Sequence, residues 1–95
     1  MAQRHDMEHM RTMIILEVLI NKPHQKAKQI STVTNLEIYI VYKLLDKISA
    51  IGLLHKARVG ERAFRPAHVY SMTELGKLYF DAYAYDLHSA KKILQ

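Results

Sequence analysis

The chain has no cysteine among its 95 residues. That absence removes disulfides, thiol nucleophiles and thiolate zinc sites together. It also fits a cytoplasmic location. There is no long apolar run. The nearest approach, Met13 to Ile20, is interrupted by Glu17 and is too short to cross a bilayer, so no membrane contact is expected. The N-terminal stretch MAQRHDMEHMRT is polar and carries no secretory pattern. Repeats, linkers and low-complexity tracts are missing, so the whole chain reads as one domain. A phosphate-cradling glycine loop is absent, as are paired carboxylates and any nucleophile, base and oxyanion set. An enzyme is therefore not expected, and no cofactor is implied. Acidic residues are also short: 9 Asp and Glu stand against 14 Lys and Arg, a net charge of +5. Such a balance suggests a polyanionic partner, and the arrangement of the charges must decide.

What is present is an ordinary globular composition, 49% hydrophobic and 24% charged. A chain this short buries only a modest core, and dimerisation is a natural supplement. A first helix is expected over residues 6–20. Met7, Met10, Ile14 and Val18 fall at helical spacing, and Met13, Ile15, Leu16, Leu19 and Ile20 widen the stripe until the second half is apolar nearly all round. One apolar stripe serves a single core. This helix needs two partners. Pro23 ends it.

A short second helix is expected from Gln25 to Thr32, with Ala27, Ile30 and Val33 inward. Thr34 and Glu37 have the spacing of a capping box at the start of a third helix, which runs to Ile51. Val41, Leu44, Leu45 and Ile48 form its apolar stripe, and Gly52 suits a left-handed terminator. The pattern then changes. LLHKARV and HVYSM alternate and carry β-branched or aromatic residues, with the breaker-rich GERAFRPA between them. That predicts a two-stranded hairpin with a long tip, Pro66 lying at the tip or an edge. Thr73 caps a last helix over 73–94, with Glu74 near its positive end. Leu75, Leu78, Ala82 and Tyr85 make one face of it, and Tyr79, Phe80, Tyr83 and Leu87 spread aromatic and apolar surface around it. The expected fold is mainly α with a small β-hairpin, in the order α-α-α-β-β-α: a helix-turn-helix over 25–51 followed by a wing over 53–73.

In these stretches the chain resembles winged helix-turn-helix transcriptional regulators of the MarR and PadR kind. AKQISTVTNLEIYIVYKLLDKISAIGLLHK is similar to the family's helix-turn-helix, whose recognition helix leads through a Gly-Leu pair, here Gly52-Leu53, into the wing. VYSMTELGK resembles the family's strand-to-helix junction through Tyr70, Met72, Thr73, Glu74, Gly76 and Lys77. The apolar first and last helices resemble its dimerisation elements. In its compact size the chain is similar to small regulators from archaea and their viruses. The resemblance covers nearly the whole chain and implies a homodimer that binds double-stranded DNA and regulates transcription, in the cytoplasm and associated with the nucleoid. One departure concerns the start of the recognition helix, where the family often has small hydroxyl residues and this chain has Glu37-Ile38-Tyr39-Ile40.

The candidate DNA-binding residues follow from this layout. A major groove admits an α-helix, and the N-terminal half of a recognition helix reaches base edges. Opposite the apolar stripe of the third helix stand Tyr39, Tyr42, Lys43 and Lys47, with Asp46 among them. The wing carries Lys56, Arg58, Arg62 and Arg65 against Glu61 alone. Arginine is drawn to the negative potential of a narrow minor groove, and Arg62 and Arg65 are nearest the tip. Gln25, Lys26 and Lys28 are candidates for phosphate contacts, which position without specifying sequence.

Other constellations are weaker. His5 and His9 lie four apart near Asp6 and Glu8, a spacing a metal can use, but solvated surface histidines are the plainer reading and no metal site is expected. His55 and His68 are candidates for a facing pair across the hairpin that gains charge at lower pH. Met and Tyr positions of the terminal helices could line a small-molecule effector pocket; core and dimer packing is the plainer use, and no effector is identified by the sequence. Two other functions fit the same fold: a sequence-indifferent architectural DNA coater, and a winged helix that binds only protein.

Overall fold

The computed structural model describes residues 6–60 and 67–94. The elements in chain order are α1 (Met7–Asn21), α2 (Ala27–Thr34), α3 (Ile38–Ala50), β1 (Leu54–Val59), β2 (Ala67–Met72), α4 (Glu74–Ala82) and α5 (Ala84–Leu94). The fold is the expected helix-turn-helix with a wing. Among the described residues no helix is long and apolar enough to cross a membrane.

Helix α1 is the spine. Asp6 caps it by accepting from the His9 amide at 3.2 Å. One side of α1 gives Met13, Ile15, Leu16 and Leu19 to the main core, where they meet Ile30, Val41, Leu45, Leu53 and Tyr70. Another side gives Met10 and Ile14 to a second cluster around Ala90, flanked by Leu87 and Leu94. The two partners that the α1 sequence demands are thus the helix-turn-helix core and α5 of the same chain. Each large side chain fully withdrawn from water here contributes about 1.5–3 kcal/mol.

Helix α2 starts and ends two residues later than the pattern predicts. Ala27, Ile30 and Thr34 are the inward residues, and Val33 is not: it is 62% exposed. The predicted capping box of Thr34 and Glu37 does not form. Thr34 is still helical, so its hydroxyl donates to the Ile30 carbonyl at 2.7 Å and accepts from the Leu36 amide at 3.3 Å. Asn35, left-handed with φ 60°, ends α2. Glu37 stands at the start of α3 without a side-chain capping bond. Instead Gln29 Oε1 accepts from the Lys26 amide at 2.8 Å at the start of α2.

The wing strands pair antiparallel, from Leu54 opposite Met72 to Val59 opposite Ala67. This register separates the histidines proposed as a facing pair: His55 lies opposite Ser71, and His68 opposite Arg58. A one-residue difference in register moves a side chain to the other face, and sequence spacing alone does not set it. Below the wing, Gln25 and Tyr70 exchange both backbone hydrogen bonds, at 3.2 and 2.9 Å, tying the segment before α2 to β2.

The last helical segment is two helices rather than one. At Tyr83 (φ −111°, ψ 19°) the chain turns, and the Asp86 amide donates back to the Tyr83 carbonyl. The turn lays α5 across α1. It also decides which face is inward. Gly76 is buried, and Tyr79, Phe80 and Leu87 pack on the core, while Leu75, Leu78 and Ala82 form an outward apolar stripe on α4 and Tyr85 of α5 is exposed beyond the turn.

Candidate nucleic-acid interface

Helix α3 buries Val41, Leu44, Leu45 and Ile48, which turns the opposite face to solvent. Tyr39 is 59% and Tyr42 52% exposed, and Lys43 is exposed between them. The two tyrosines are therefore not covered by α1. Along this helix the predicted residues divide into two clefts. Tyr39, Lys43 and Lys47, four apart in sequence, line a cleft against Glu8 and Arg11 of α1. Tyr42 lines another with Lys26 and Lys28 of the α2 start and His68 and Tyr70 of β2.

The wing faces the same way. Residues directly opposite in an antiparallel pair share a face, and so do residues two apart along a strand. Lys56 opposite Tyr70 and Arg58 opposite His68 therefore lie on one face of the hairpin. Tyr70 on that face is buried against the helix-turn-helix. Lys56 donates to Asp46 of α3 at 3.3 Å. The cationic face of the wing base thus meets the exposed side of α3. Arg62 and Arg65, like Glu61 and Pro66, lie outside the described residues.

The cations differ in how far they are already engaged. Lys47 is ion-paired with Glu8, and Lys56 with Asp46. Among the described residues Lys26, Lys28, Lys43 and Arg58 are exposed and in no ion pair, which leaves them available to phosphate. Gln25 is half-buried and held by its backbone to Tyr70. Burial pushes the Tyr70 phenol above its ordinary value; nearby Lys56 opposes that rise, and Asp46 and Tyr42 add to it.

Sequence reasoning missed Arg11. It sits on α1 among the residues read only as apolar spine, yet it lines the α3 cleft, and its Nε is buried with no hydrogen-bond partner among the described residues. The signal was a lone cation on the flank of a helix that is otherwise apolar beyond it. The spacing of His5 and His9 makes His9 at most a weak metal candidate. Its ring instead shares a 2.7 Å hydrogen bond with the Tyr79 hydroxyl and donates from Nε2 to Asp86 at 3.0 Å, joining α1 to both α4 and α5. His5 lies outside the described residues, and among those described no group of three metal-ligating side chains occurs.

No family model matches the chain, and no curated protein matches it. Solved structures do. A MarR family transcription regulator superposes with a TM-score of 0.69 at 22% identity, over 87% of this chain and 54% of that one. A PadR family transcription regulator from hypervirulent Clostridium difficile gives 0.70 at 17% identity, over 87% and 92%. The PcaV transcriptional regulator from Streptomyces coelicolor, solved with its natural ligand, gives 0.71 at 13% identity, over 86% and 57%. This chain spans little more than half of the MarR family protein and of PcaV, and nearly all of the PadR protein. The MarR/PadR resemblance read in the sequence is thus matched by the fold.

Proposed function

We propose that the protein is a sequence-specific transcriptional regulator that binds double-stranded DNA as a homodimer. The observation that carries this reading is the common orientation of two surfaces. The exposed side of α3, with Tyr39, Tyr42 and Lys43, adjoins the wing face bearing Lys56 and Arg58. A helix presented this way fits the major groove, and a basic wing beside it reaches toward the minor groove. Lys26 and Lys28 border the same surface and suit phosphate. The likeness in fold to transcription regulators supports the same conclusion.

The dimer surface in this reading is the outward stripe of α4, with Tyr85 of α5. Leu75, Leu78 and Ala82 share one exposed face of α4, with Leu78 65% exposed, and on α5 Tyr85 is 88% exposed. A contiguous apolar stripe is a common mark of an interface. Two-fold symmetry then sets two α3 helices about one helical turn of DNA apart, or a multiple of it, on a pseudo-palindromic site.

The test is a fluorescence-anisotropy titration against a site recovered by genomic footprinting and against its scrambled version, at several salt concentrations. Affinity should fall steeply with salt and differ between the two duplexes. No binding at low salt removes the reading and leaves the protein-binding alternative. Equal affinity for both duplexes transfers it to an architectural coater. Arg62 and Arg65 changed together to alanine should weaken binding.

A further inference from the structure

We propose that the cleft between α1 and α3 is an oxyanion site anchored by Arg11, taking a phosphate group beside the exposed face of α3. The cleft encloses about 380 Å³. Arg11, Lys43 and Lys47 bring three cations to it, and Glu8 one carboxylate. Glu8 is already taken by Lys47. Arg11 and Lys43 are in no ion pair among the described residues, so the cleft carries a surplus of positive charge. Tyr39 adds a hydroxyl donor to the lining, and Ile40 an apolar wall that lowers the local dielectric.

The second observation is independent of charge counting. Arg11 Nε is one of two buried side-chain polar atoms without a hydrogen-bond partner among the described residues. A buried donor on a charged group is costly to leave unmade. Such an orphan calls for a specific explanation. A guanidinium presents donors in a planar fork that matches phosphate and carboxylate oxygens. An oxyanion bound by the guanidinium fork in the cleft balances the surplus charge and gives Nε a reason to leave its buried, unpartnered position. A pocket with room for several waters, each about 30 Å³, accommodates such a group.

A phosphate oxyanion can come from a DNA backbone or from free phosphate. The choice of source rests on the DNA-binding reading; the site does not. The experiment follows the side-chain Nε–Hε resonances of ¹⁵N-labelled protein while a footprinted duplex or inorganic phosphate is added, with potassium chloride at matched ionic strength as control. The Arg11 resonance should move with phosphate or duplex and not with chloride. Arg11→Gln should remove the response and weaken duplex binding about tenfold, its fold verified by circular dichroism. Glu8→Gln acts in the opposite sense: it releases Lys47 and should tighten oxyanion binding. That variant keeps the test sharp should Arg11→Gln fold poorly.

The outcomes separate cleanly. A shift with duplex at concentrations where phosphate has no effect assigns the site to the DNA backbone. A shift with phosphate in a protein that binds no duplex retains the site and ends the DNA reading. Duplex binding that depends on Lys43 and Arg58 while the Arg11 resonance ignores both ligands retains the DNA reading and ends this one.

Discussion

A Cβ atom added to Gly76 would lie 2.1 Å from the carbonyl oxygen of Leu53. The first turn of α4 therefore rests directly on the backbone that leads from α3 into the wing. Thr73 reinforces the contact. Its hydroxyl accepts from the Gly76 amide at 3.0 Å and lies 2.6 Å from the Gly52 carbonyl and 3.0 Å from that of Leu53, as donor to one or the other. The two sequence motifs that carry the family resemblance, Gly52-Leu53 and Thr73-Glu74-Leu75-Gly76-Lys77, thus meet in space. Together they pin the start of α4 to the link between α3 and the wing.

Gly76→Ala should accordingly destabilise the fold by about 3 kcal/mol, at the upper end for overpacking, because the obstructing atom is backbone and cannot rotate away. Urea unfolding followed by circular dichroism measures it. A loss of a few tenths would mean that α4 can slide without cost.

Alkaline pH should weaken the protein through two phenols. Burial pushes Tyr79 above the ordinary 10.0, with Tyr83, Asp6 and Asp86 acting in the same direction. Tyr70 is raised chiefly by its own burial. The folded chain thus keeps protons at pH values where the unfolded chain has released them. The stabilisation is complete below the unfolded value and is lost as pH rises through the raised folded values. The urea midpoint should fall as pH rises past about 10, the unfolded value. The double variant Tyr70→Phe, Tyr79→Phe should flatten that slope whatever its stability at neutral pH; an unchanged slope would show that these two phenols are not its cause.

Charge removal on the interface should depend on prior engagement. Lys43→Ala and Arg58→Ala should each reduce the log–log salt slope of duplex binding by about 1. Lys47→Ala should change it less, because Glu8 already holds that ammonium. Equal effects at all three positions would argue for a diffuse field in place of discrete contacts.

In the proposed dimer, Leu78→Glu should leave a folded monomer, since the side chain is exposed in the single chain. Sedimentation velocity reads the state, and circular dichroism the fold. A wild-type chain that sediments as a monomer at high concentration would leave the apolar stripe of α4 without its proposed role.

Much of this architecture was legible in the residues. The period of apolar positions in α1 and α3, Gly52 at the end of α3 and Thr73 before α4 are local signals, and each stands where its chemistry predicts. The demand of α1 for two apolar partners was legible as well, because an all-round apolar surface has only one remedy. The identity of the second partner was not. No proline or glycine marks the break at Tyr83. There the tyrosine ring packs 4.9 Å from His9 and 4.8 Å from Tyr79, and the chain turns so that Ala90 can cover Met10 and Ile14. The wing register, which parted His55 from His68, and the orphaned Nε of Arg11 are of the same kind. Local periodicity is a property of neighbours along the chain and is written in the sequence. Strand register, helix redirection and the burial of one atom depend on groups supplied by other elements of the fold, so only the packed chain decided them.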